Sequence, residues 1–302
     1  MKVVVTGGSG FIGSHLIDGL LAQGHSVTNI DRVPPKHSDV QTDYIDITDL
    51  HSLLQVMPDT DMVFHLAAMS NVNEIYKYPK YSVRANVEGT VNILEAARMC
   101  NVKRVLFAST IWVYDAAEGS GPFNEDTAFS LPQTGHIYTA TKIACENLIH
   151  SWNSLYGLPF TIMRYGIPFG PRMRENLVTP IFIKKALTGE PITIQGSGEQ
   201  YRKFVYIDDL TEAQLLCTDD HAENQVFNFE GNKKIAIKQI AETLQDIIPS
   251  TTIKYAPARP GDFKGKEISN AKAKDILNWE PRTDYEVGLG KTIEWFREKW
   301  GL

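Results

Sequence analysis

The stretch that most constrains this chain lies at its beginning, where an apolar β-branched run enters a glycine-rich turn. Val3-Val4-Val5-Thr6 precedes Gly7-Gly8-Ser9-Gly10-Phe11-Ile12-Gly13, and a segment with helical apolar spacing follows. This order predicts a strand, a tight loop and a helix. Such a loop lets backbone N–H groups and the N-terminus of the helix approach a pyrophosphate closely. Because the glycines follow a strand and open a helix, the sequence predicts a dinucleotide-binding loop.

An acidic residue follows the second predicted strand, at the offset from the loop that dinucleotide-binding proteins show. This residue is Asp31, after a strand over 27–30. Its carboxylate can hydrogen-bond the adenosine ribose hydroxyls and would repel a 2′-phosphate, which favours NAD over NADP. Arg32 weakens that preference slightly, because a guanidinium could offset the repulsion. The alternative interpretation of Asp31 is a solvated loop acid, and the glycine loop upstream favours the functional one.

The composition excludes several classes of protein. Of the 302 residues, 43% are hydrophobic and 22% charged, and the net charge of -6 argues against a general binder of nucleic acid or anionic membrane. The three cysteines have no metal-ligand spacing, so no metal site is predicted, and their odd, sparse count favours a reducing compartment. No apolar run is long enough to span a membrane, and the N-terminus is the first strand rather than a signal peptide. We therefore expect a cytoplasmic protein.

Strand and helix patterns alternate as far as Arg164, which predicts a mostly parallel sheet with helices on both faces. The glycines and prolines of 165–174 then predict a loop, and short helices and strands follow. We expect an α/β, Rossmann-like doubly wound fold with a smaller C-terminal α/β substrate lobe. The predicted NAD-binding domain covers 1–164 and the nucleotide-sugar-binding lobe 165–302, with some elements of 203–249 returning to the first domain.

The carboxyl ends of the predicted strands are where a ligand would bind. Asp46 and Ile47, at the end of a strand predicted over 43–47, lie where the edge and face of an adenine could be met. The strand predicted over 62–68 ends in Leu66-Ala67-Ala68, small residues that let a ligand lie close to the backbone. His65 in this strand is expected to be a packed residue rather than a catalyst.

Acid–base chemistry is predicted from Tyr138 and Lys142, which share one face of a predicted helix because they are four residues apart. A tyrosine is a poor base at its ordinary pKa of about 10, but a nearby ammonium favours the phenolate. The pair could take a proton from an alcohol near neutral pH, and Thr110, at the end of the strand predicted from Arg104 onwards, could hydrogen-bond the same oxygen. A surface Tyr–Lys pair is the alternative, and the position behind a dinucleotide loop favours catalysis.

Together with these motifs, several further stretches resemble the extended short-chain dehydrogenases/reductases, in their nucleotide-sugar epimerase/dehydratase branch. The matching stretches extend over nearly the whole chain: His65-Leu66-Ala67-Ala68, Asn86-Val87-Glu88-Gly89-Thr90, Ser109-Thr110 before Val113-Tyr114, Tyr138-Thr139-Ala140-Thr141-Lys142, Arg202-Lys203-Phe204-Val205-Tyr206-Ile207-Asp208-Asp209-Leu210 and Arg259-Pro260-Gly261-Asp262.

The resemblance implies a role for each matching residue. Tyr138 would be the base and acid at a sugar hydroxyl, Lys142 would bind the nicotinamide ribose and tune Tyr138, and Thr110 would share the substrate hydrogen bond. Thr110 is preferred to Ser109 because alignment on Val113-Tyr114 places it at the position of the family's Ser/Thr. The implied NAD-binding residues are Gly7, Gly10, Phe11, Ile12, Gly13, Asp31, Arg32, Asp46, Ile47, Leu66, Ala67, Ala68, Asn86, Tyr138, Lys142, Tyr165 and Ile167. The implied substrate-binding residues are Thr110, Trp112, Asn176, Leu177, Arg202, Arg259 and Asp262.

Two departures from the family pattern bear on the reaction. Ile167 replaces an asparagine that usually touches the substrate, so the sugar cannot be inferred from other members. Ile111 and Trp112 follow Thr110, where 4,6-dehydratases carry an Asp–Glu pair and decarboxylases a glutamate. Without an acid there, the sequence favours NAD-dependent epimerisation at C4 of a nucleotide diphosphate sugar, with a UDP-sugar as the expected substrate. The alternatives are a nucleotide-ketosugar reductase and, more distantly, a non-catalytic NAD(P)-binding sensor.

The resemblance also implies a homodimer, formed by helices predicted over 87–99 and 137–152. Ile143, Leu148 and Trp152 are compatible with such an interface, but they could equally belong to the core.

Overall fold

The computed structural model describes residues 1–36, 40–130, 132, 134–257 and 266–302, which form two compact units. The first unit contains Met1–Tyr165, Thr211–Phe229 and Ile268–Trp279. The second contains Gly166–Leu210, Glu230–Glu267 and Glu280–Leu302 within the described ranges. The ligand that each predicted domain holds stays a prediction.

The strands are short, as is usual for an α/β chain. In chain order the described strands are β1 (Lys2–Thr6), β2 (Ser26–Asp31), β3 (Gln41–Tyr44), β4 (Met62–His65), β5 (Arg104–Thr110), β6 (Phe160–Tyr165), β7 (Ile167–Phe169), β8 (Ile192–Gln195), β9 (Tyr201–Tyr206), β10 (Gln225–Phe229), β11 (Lys234–Ala236) and β12 (Ile253–Ala256).

Helices separate most of these strands. The described α-helices are α1 (Phe11–Ala22), α2 (Leu50–Val56), α3 (Val72–Lys77), α4 (Pro79–Val83), α5 (Gly89–Met99), α6 (Ile137–Tyr156), α7 (Val178–Thr188), α8 (Ile207–Leu216), α9 (Ile237–Ile247), α10 (Ala271–Leu277) and α11 (Tyr285–Trp300). A π-helical turn, Arg84–Glu88, joins α4 to α5, and a 3-10 segment, Ile111–Ala116, follows β5.

The first unit is built on a parallel sheet with the strand order β10-β6-β5-β4-β1-β2-β3. The predicted Rossmann-like doubly wound class is therefore confirmed. Val4 packs with Ile93 of α5 and Ile149 of α6 on one face. On the other face α1 lies so close to α8 that a Cβ on Gly19 would be 2.8 Å from Leu215. The strand order reverses between β1 and β4, and at such a point the carboxyl ends of the strands leave a crevice for a ligand.

The second unit contains two small sheets. Strand β9 pairs with β11 in antiparallel and with β7 in parallel orientation, and β12 pairs with β8 in parallel orientation. The aromatic rings of Phe169, Phe204 and Tyr285 pack together over the first of these sheets.

Some predicted element boundaries were wrong. The third strand ends at Tyr44, so Asp46 and Ile47 lie in the loop beyond it. The fourth strand ends at His65 rather than at Ala68. The stretch 165–174, predicted as a loop, contains β7, which pairs with the distant β9. Ile143 is a buried core residue. Leu148 and Trp152, also on α6, are partly buried and pack against the core.

Candidate active site

The glycine loop between β1 and α1 is tightly packed. Gly7 has φ +75°, and a Cβ there would lie 2.7 Å from the backbone nitrogen of Ala67. A Cβ on Gly13 would lie 2.3 Å from the carbonyl oxygen of Gly7, and one on Gly8 would lie 2.4 Å from Oδ1 of Asn29. The requirement at Gly8 was missed by the sequence pattern, because the obstructing side chain comes from β2. These contacts make a cradle that only glycines allow, which fits a bound pyrophosphate.

The Gly13→Ala variant is expected to lose bound cofactor, because its methyl group would meet backbone rather than a flexible side chain. We expect the purified variant to carry at least tenfold less nucleotide than the wild type, as a rough estimate for a cradle that must open at the closest backbone approach. The measurement is NAD released on denaturation. Gly290→Ala is the matched control, since open space surrounds that helical glycine. Equal cofactor content in Gly13→Ala and Gly290→Ala would contradict the cradle.

Asp31 connects the end of β2 to the glycine loop. Its Oδ2 accepts a hydrogen bond from the Ser9 N–H at 3.0 Å, and its Oδ1 accepts one from the Arg32 N–H at 2.7 Å. The Arg32 guanidinium lies 3.4 Å from Asp46 and also donates to the Tyr81 hydroxyl. The structure thus brings Asp31, Arg32 and Asp46 together, and their contact with an adenosine stays a prediction.

The residues after β4 are held against the same loop. The N–H of Leu66 donates to the Thr6 carbonyl at 3.1 Å, and the N–H of Ala67 donates to Thr6 Oγ1 at 3.2 Å. His65 is buried between the hydroxyls of Thr6 and Thr90. Burial, reinforced by the Lys142 ammonium, lowers the pKa of His65 to about 3, so it is a neutral packed residue, as predicted.

Asn86 lies in the π-helical turn, a local distortion that is often found at functional sites. Its Oδ1 accepts from the Met69 N–H at 2.7 Å, and its Nδ2 donates to the Met69 carbonyl and to Thr141 Oγ1. The side chain therefore joins the loop after β4 to α6. The predicted cofactor contact of Asn86 stays a prediction, whereas the structure shows how its side chain positions this loop.

Lys142 lies beside Tyr138 on α6, as the four-residue spacing predicts. Its Nζ donates to the Ala108 carbonyl at 2.6 Å and lies 4.5 Å from the Phe107 ring and 5.8 Å from the Tyr138 ring. Burial lowers the pKa of Lys142 to about 8, although Cys145 and Glu146 act in the opposite direction. The amine is therefore largely cationic at neutral pH, and it places positive charge next to Tyr138.

The two hydroxyls at the end of β5 have different surroundings. Ser109 donates to the Glu146 carboxylate, which also pairs with the Arg164 guanidinium at 2.7 Å. Thr110 accepts from the Trp112 N–H at 3.2 Å and begins the 3-10 segment. Because Ser109 is committed to the buried ion pair, this geometry favours Thr110 as the substrate contact.

Aromatic side chains surround Tyr138. The ring centroid of Trp112 lies 6.4 Å from that of Tyr138 in an edge-to-face arrangement, and His136 lies 6.5 Å away. His136 was missed in the sequence, although it stands where a capping residue would precede the helix. Trp112, predicted to bind substrate, is thus brought next to the predicted base.

The remaining predicted residues lie on β6, in the second unit or outside the described residues. Tyr165 is buried, and its hydroxyl accepts from Gln214 at 2.7 Å, so its side chain is committed to the core. Arg259 and Asp262 lie outside the described residues. Ile167, Asn176, Leu177 and Arg202 belong to the second unit, where Leu177 precedes α7 without a side-chain cap at that helix N-terminus. Among the described residues, no group of histidines, cysteines and acids could hold a metal ion.

Comparison with known proteins identifies the family. A sequence model of the NAD dependent epimerase/dehydratase family matches residues 3–229. The chain belongs to this family. The predicted resemblance and NAD as cofactor are therefore confirmed, and the Gly7–Gly13 cradle with Asp31 fits that cofactor.

Relatives in the NAD-dependent epimerase/dehydratase family match over nearly their full lengths. UDP-N-acetyl-alpha-D-glucosaminuronate decarboxylase of Bacillus cytotoxicus is 33% identical, with 98% of each chain covered. UDP-glucuronate 4-epimerase of Thermodesulfobacterium geofontis is 33% identical, covering 98% of this chain and 96% of the relative. The crystal structure of UDP-glucose 4-epimerase with UDP-glucose from Thermotoga maritima matches with a TM-score of 0.91 at 30% identity, covering 99% of this chain and 100% of that chain.

Proposed function

We propose that this chain is an NAD-dependent epimerase acting at C4 of a UDP-sugar through a transient 4-keto sugar. The observation that carries the proposal is the pairing of Tyr138 with the buried Lys142 next to Trp112. Neither residue after Thr110, Ile111 or Trp112, is an acid. A tyrosine beside an ammonium can exchange a proton with a sugar hydroxyl. Two similar proteins, named as 4-epimerases, support the assignment.

The mechanism follows from the roles of the side chains. NAD, which the Gly7–Gly13 loop and Asp31 would hold, would supply reversible hydride transfer at C4 of the sugar. Tyr138 takes the proton of the 4-hydroxyl and later gives it back. Lys142 stabilises the negative charge that develops on the Tyr138 oxygen, and its bond to Ala108 holds the ammonium in place. Thr110 donates a hydrogen bond to the same substrate oxygen.

The nucleotide diphosphate is assigned to residues of the second unit. Arg202 offers a guanidinium, which meets phosphate oxygens in a bidentate manner. Asn176 and Leu177 precede the N-terminus of α7, where backbone N–H groups can bind an anion. Arg259 and Asp262 are predicted to complete this site.

The assay that tests the proposal supplies UDP-glucose, UDP-N-acetylglucosamine and UDP-glucuronate separately, without added cofactor, and follows C4 stereochemistry by NMR. We expect one of these UDP-sugars to interconvert with its C4 epimer. Stoichiometric consumption of NAD(P)H without interconversion would instead support the ketosugar reductase.

Decarboxylation is the second candidate, because one similar protein is named as a decarboxylase of a UDP-uronate. Release of carbon dioxide from UDP-glucuronate, with a pentose product, would establish it and contradict the epimerase. The position after Thr110 argues against this reaction, because Ile111 and Trp112 stand where the family resemblance implies a glutamate in decarboxylases.

We further propose a homodimer through α5 and α6, in a reducing, cytoplasmic compartment. Met99, Leu155 and Tyr156 are large exposed hydrophobic residues at the C-terminal ends of these helices, and Arg98 stacks on Tyr156 at 5.1 Å. Sedimentation of only monomer at micromolar concentration would contradict the dimer.

The cysteines, all free, fit a reducing compartment. No described helix is both long and apolar enough to cross a membrane.

A further inference from the structure

His136 occupies the N-cap position of α6, two residues before Tyr138. Its backbone is extended, with φ −134° and ψ 128°, and its Nδ1 accepts a hydrogen bond from the Tyr138 N–H at 3.0 Å. An N-cap side chain satisfies one of the amides that the first turn of a helix leaves without a partner. The amide satisfied here belongs to the residue assigned as the catalytic base.

The hydrogen bond fixes the protonation state of the imidazole. Because Nδ1 accepts, the ring proton of the neutral form must be on Nε2. Among the described residues, Nε2 is buried and has no hydrogen-bond partner. A second proton would have to enter at Nδ1, where it would face the Tyr138 N–H and remove the acceptor. The positive end of the α6 dipole also disfavours a cation at this position.

Three aromatic rings enclose the imidazole. Tyr76 of α3 lies 5.4 Å away and Trp112 of the 3-10 segment 5.9 Å away, both edge-to-face, and Tyr138 of α6 lies 6.5 Å away. In the described surroundings, the titratable groups that face it are the two phenols, and no carboxylate pairs with it. Burial lowers the pKa of His136 below its usual value of about 6.5.

We propose that His136 is a positioning residue for the proposed epimerisation: its neutral imidazole caps α6 and holds the first turn that carries Tyr138, and protonation releases this turn. This inference rests on the proposed function for its kinetic consequence only. The cap itself exists whatever the substrate.

The sign of the pH effect follows from the direction of the pKa. Because the folded state holds His136 neutral, the unfolded chain binds more protons as the pH falls through about 6.5. The contribution of His136 to stability is therefore complete above that pH and is lost as the pH falls towards the lowered folded pKa. Activity should decline only as the pH falls to the lowered pKa of the folded protein, where His136 becomes protonated.

Two substitutions separate capping from other roles of the side chain. His136→Asn keeps an N-cap acceptor that does not titrate, whereas His136→Ala removes it. Asp49→Ala is the matched control, because Asp49 caps α2 through Ser52 at a position away from Tyr138. We expect His136→Ala to lower kcat about fivefold near pH 8 with little change in KM, the size expected from one lost cap. His136→Asn should restore most of this loss, and Asp49→Ala should leave kcat unchanged.

The pH profile decides whether protonation matters. The ratio of wild-type kcat to His136→Asn kcat should fall, by up to about fivefold, as the pH is lowered from about 8 to below the lowered pKa of His136, because only the wild type loses its cap. The protection factor of the Tyr138 amide against hydrogen exchange, measured without substrate, should fall in His136→Ala and, at acidic pH, in the wild type. A kcat ratio that does not change with pH would overturn the proposal. So would a Tyr138 amide that is as well protected from exchange in His136→Ala as in the wild type. Because hydrogen exchange needs no turnover, it tests the cap even if the epimerase assignment fails.

Discussion

The Tyr138→Phe variant is expected to lose about 10²–10⁴-fold in kcat for C4 epimerisation, the contribution typical of a positioned general acid–base. The substitution removes only the phenolic oxygen, and Phe can keep the ring contacts with Trp112 and His136. The measurement is the initial rate of sugar interconversion, with NAD content determined on the same sample. We expect most of the bound NAD to remain, because Asp31 and the glycine loop are untouched.

A matched tyrosine separates this effect from the general loss of a hydroxyl. Tyr255 is exposed on β12, so Tyr255→Phe should leave kcat unchanged. If Tyr138→Phe retained kcat within about threefold, well below the typical acid–base contribution, Tyr138 could not be the base.

The Glu146→Leu variant is expected to lower the free energy of unfolding by about 3–5 kcal/mol, because it leaves the buried Arg164 guanidinium without its carboxylate. Glu146 and Arg164 are only 6% and 5% exposed, and two hydrogen bonds join them, at 2.7 and 3.1 Å. The Ser109 hydroxyl would lose its acceptor as well. Urea denaturation of cofactor-loaded protein measures this loss.

The double variant Glu146→Leu/Arg164→Met should recover most of that stability, because a buried ion pair can often be replaced by apolar residues at little cost. Glu199→Gln is the surface control: its pair with Lys238 is exposed, so the loss should stay below about 1 kcal/mol. A Glu146→Leu loss as small as that of Glu199→Gln would contradict the assigned role of the buried pair.

Local patterns predict the first part of the fold well. The glycine loop, Asp31 and the Tyr138–Lys142 spacing depend on neighbours in the sequence, and the structure places each on the expected element. The alternation of strands and helices likewise predicts a parallel sheet, because parallel strands need crossover helices.

Long-range pairing sets the limit of prediction from the sequence. Strand β7 is only three residues long and contains Pro168, and it exists because Ile167 pairs with Phe204 far along the chain. The end of β3 at Tyr44 is likewise set by its pairing with β2, so Asp46 and Ile47 were placed in the strand wrongly.

Sequence patterns did not predict the side-chain networks either. The Ser109–Glu146–Arg164 contacts join β5, α6 and β6, and each residue alone gives no signal of its partner. His136 could have been found as a candidate helix cap, although histidine is not among the preferred N-cap residues.

The central claim is that C4 exchanges hydride with resident NAD while Tyr138 handles the hydroxyl proton. The most direct measurement uses the UDP-sugar that the NMR assay identifies, deuterated at C4, incubated with wild-type protein in ordinary water without added cofactor. We predict that the epimerised product retains its deuterium at C4, because the deuteride removed from C4 is returned to C4 without exchanging with water. Epimerisation with loss of that deuterium to solvent would contradict the account.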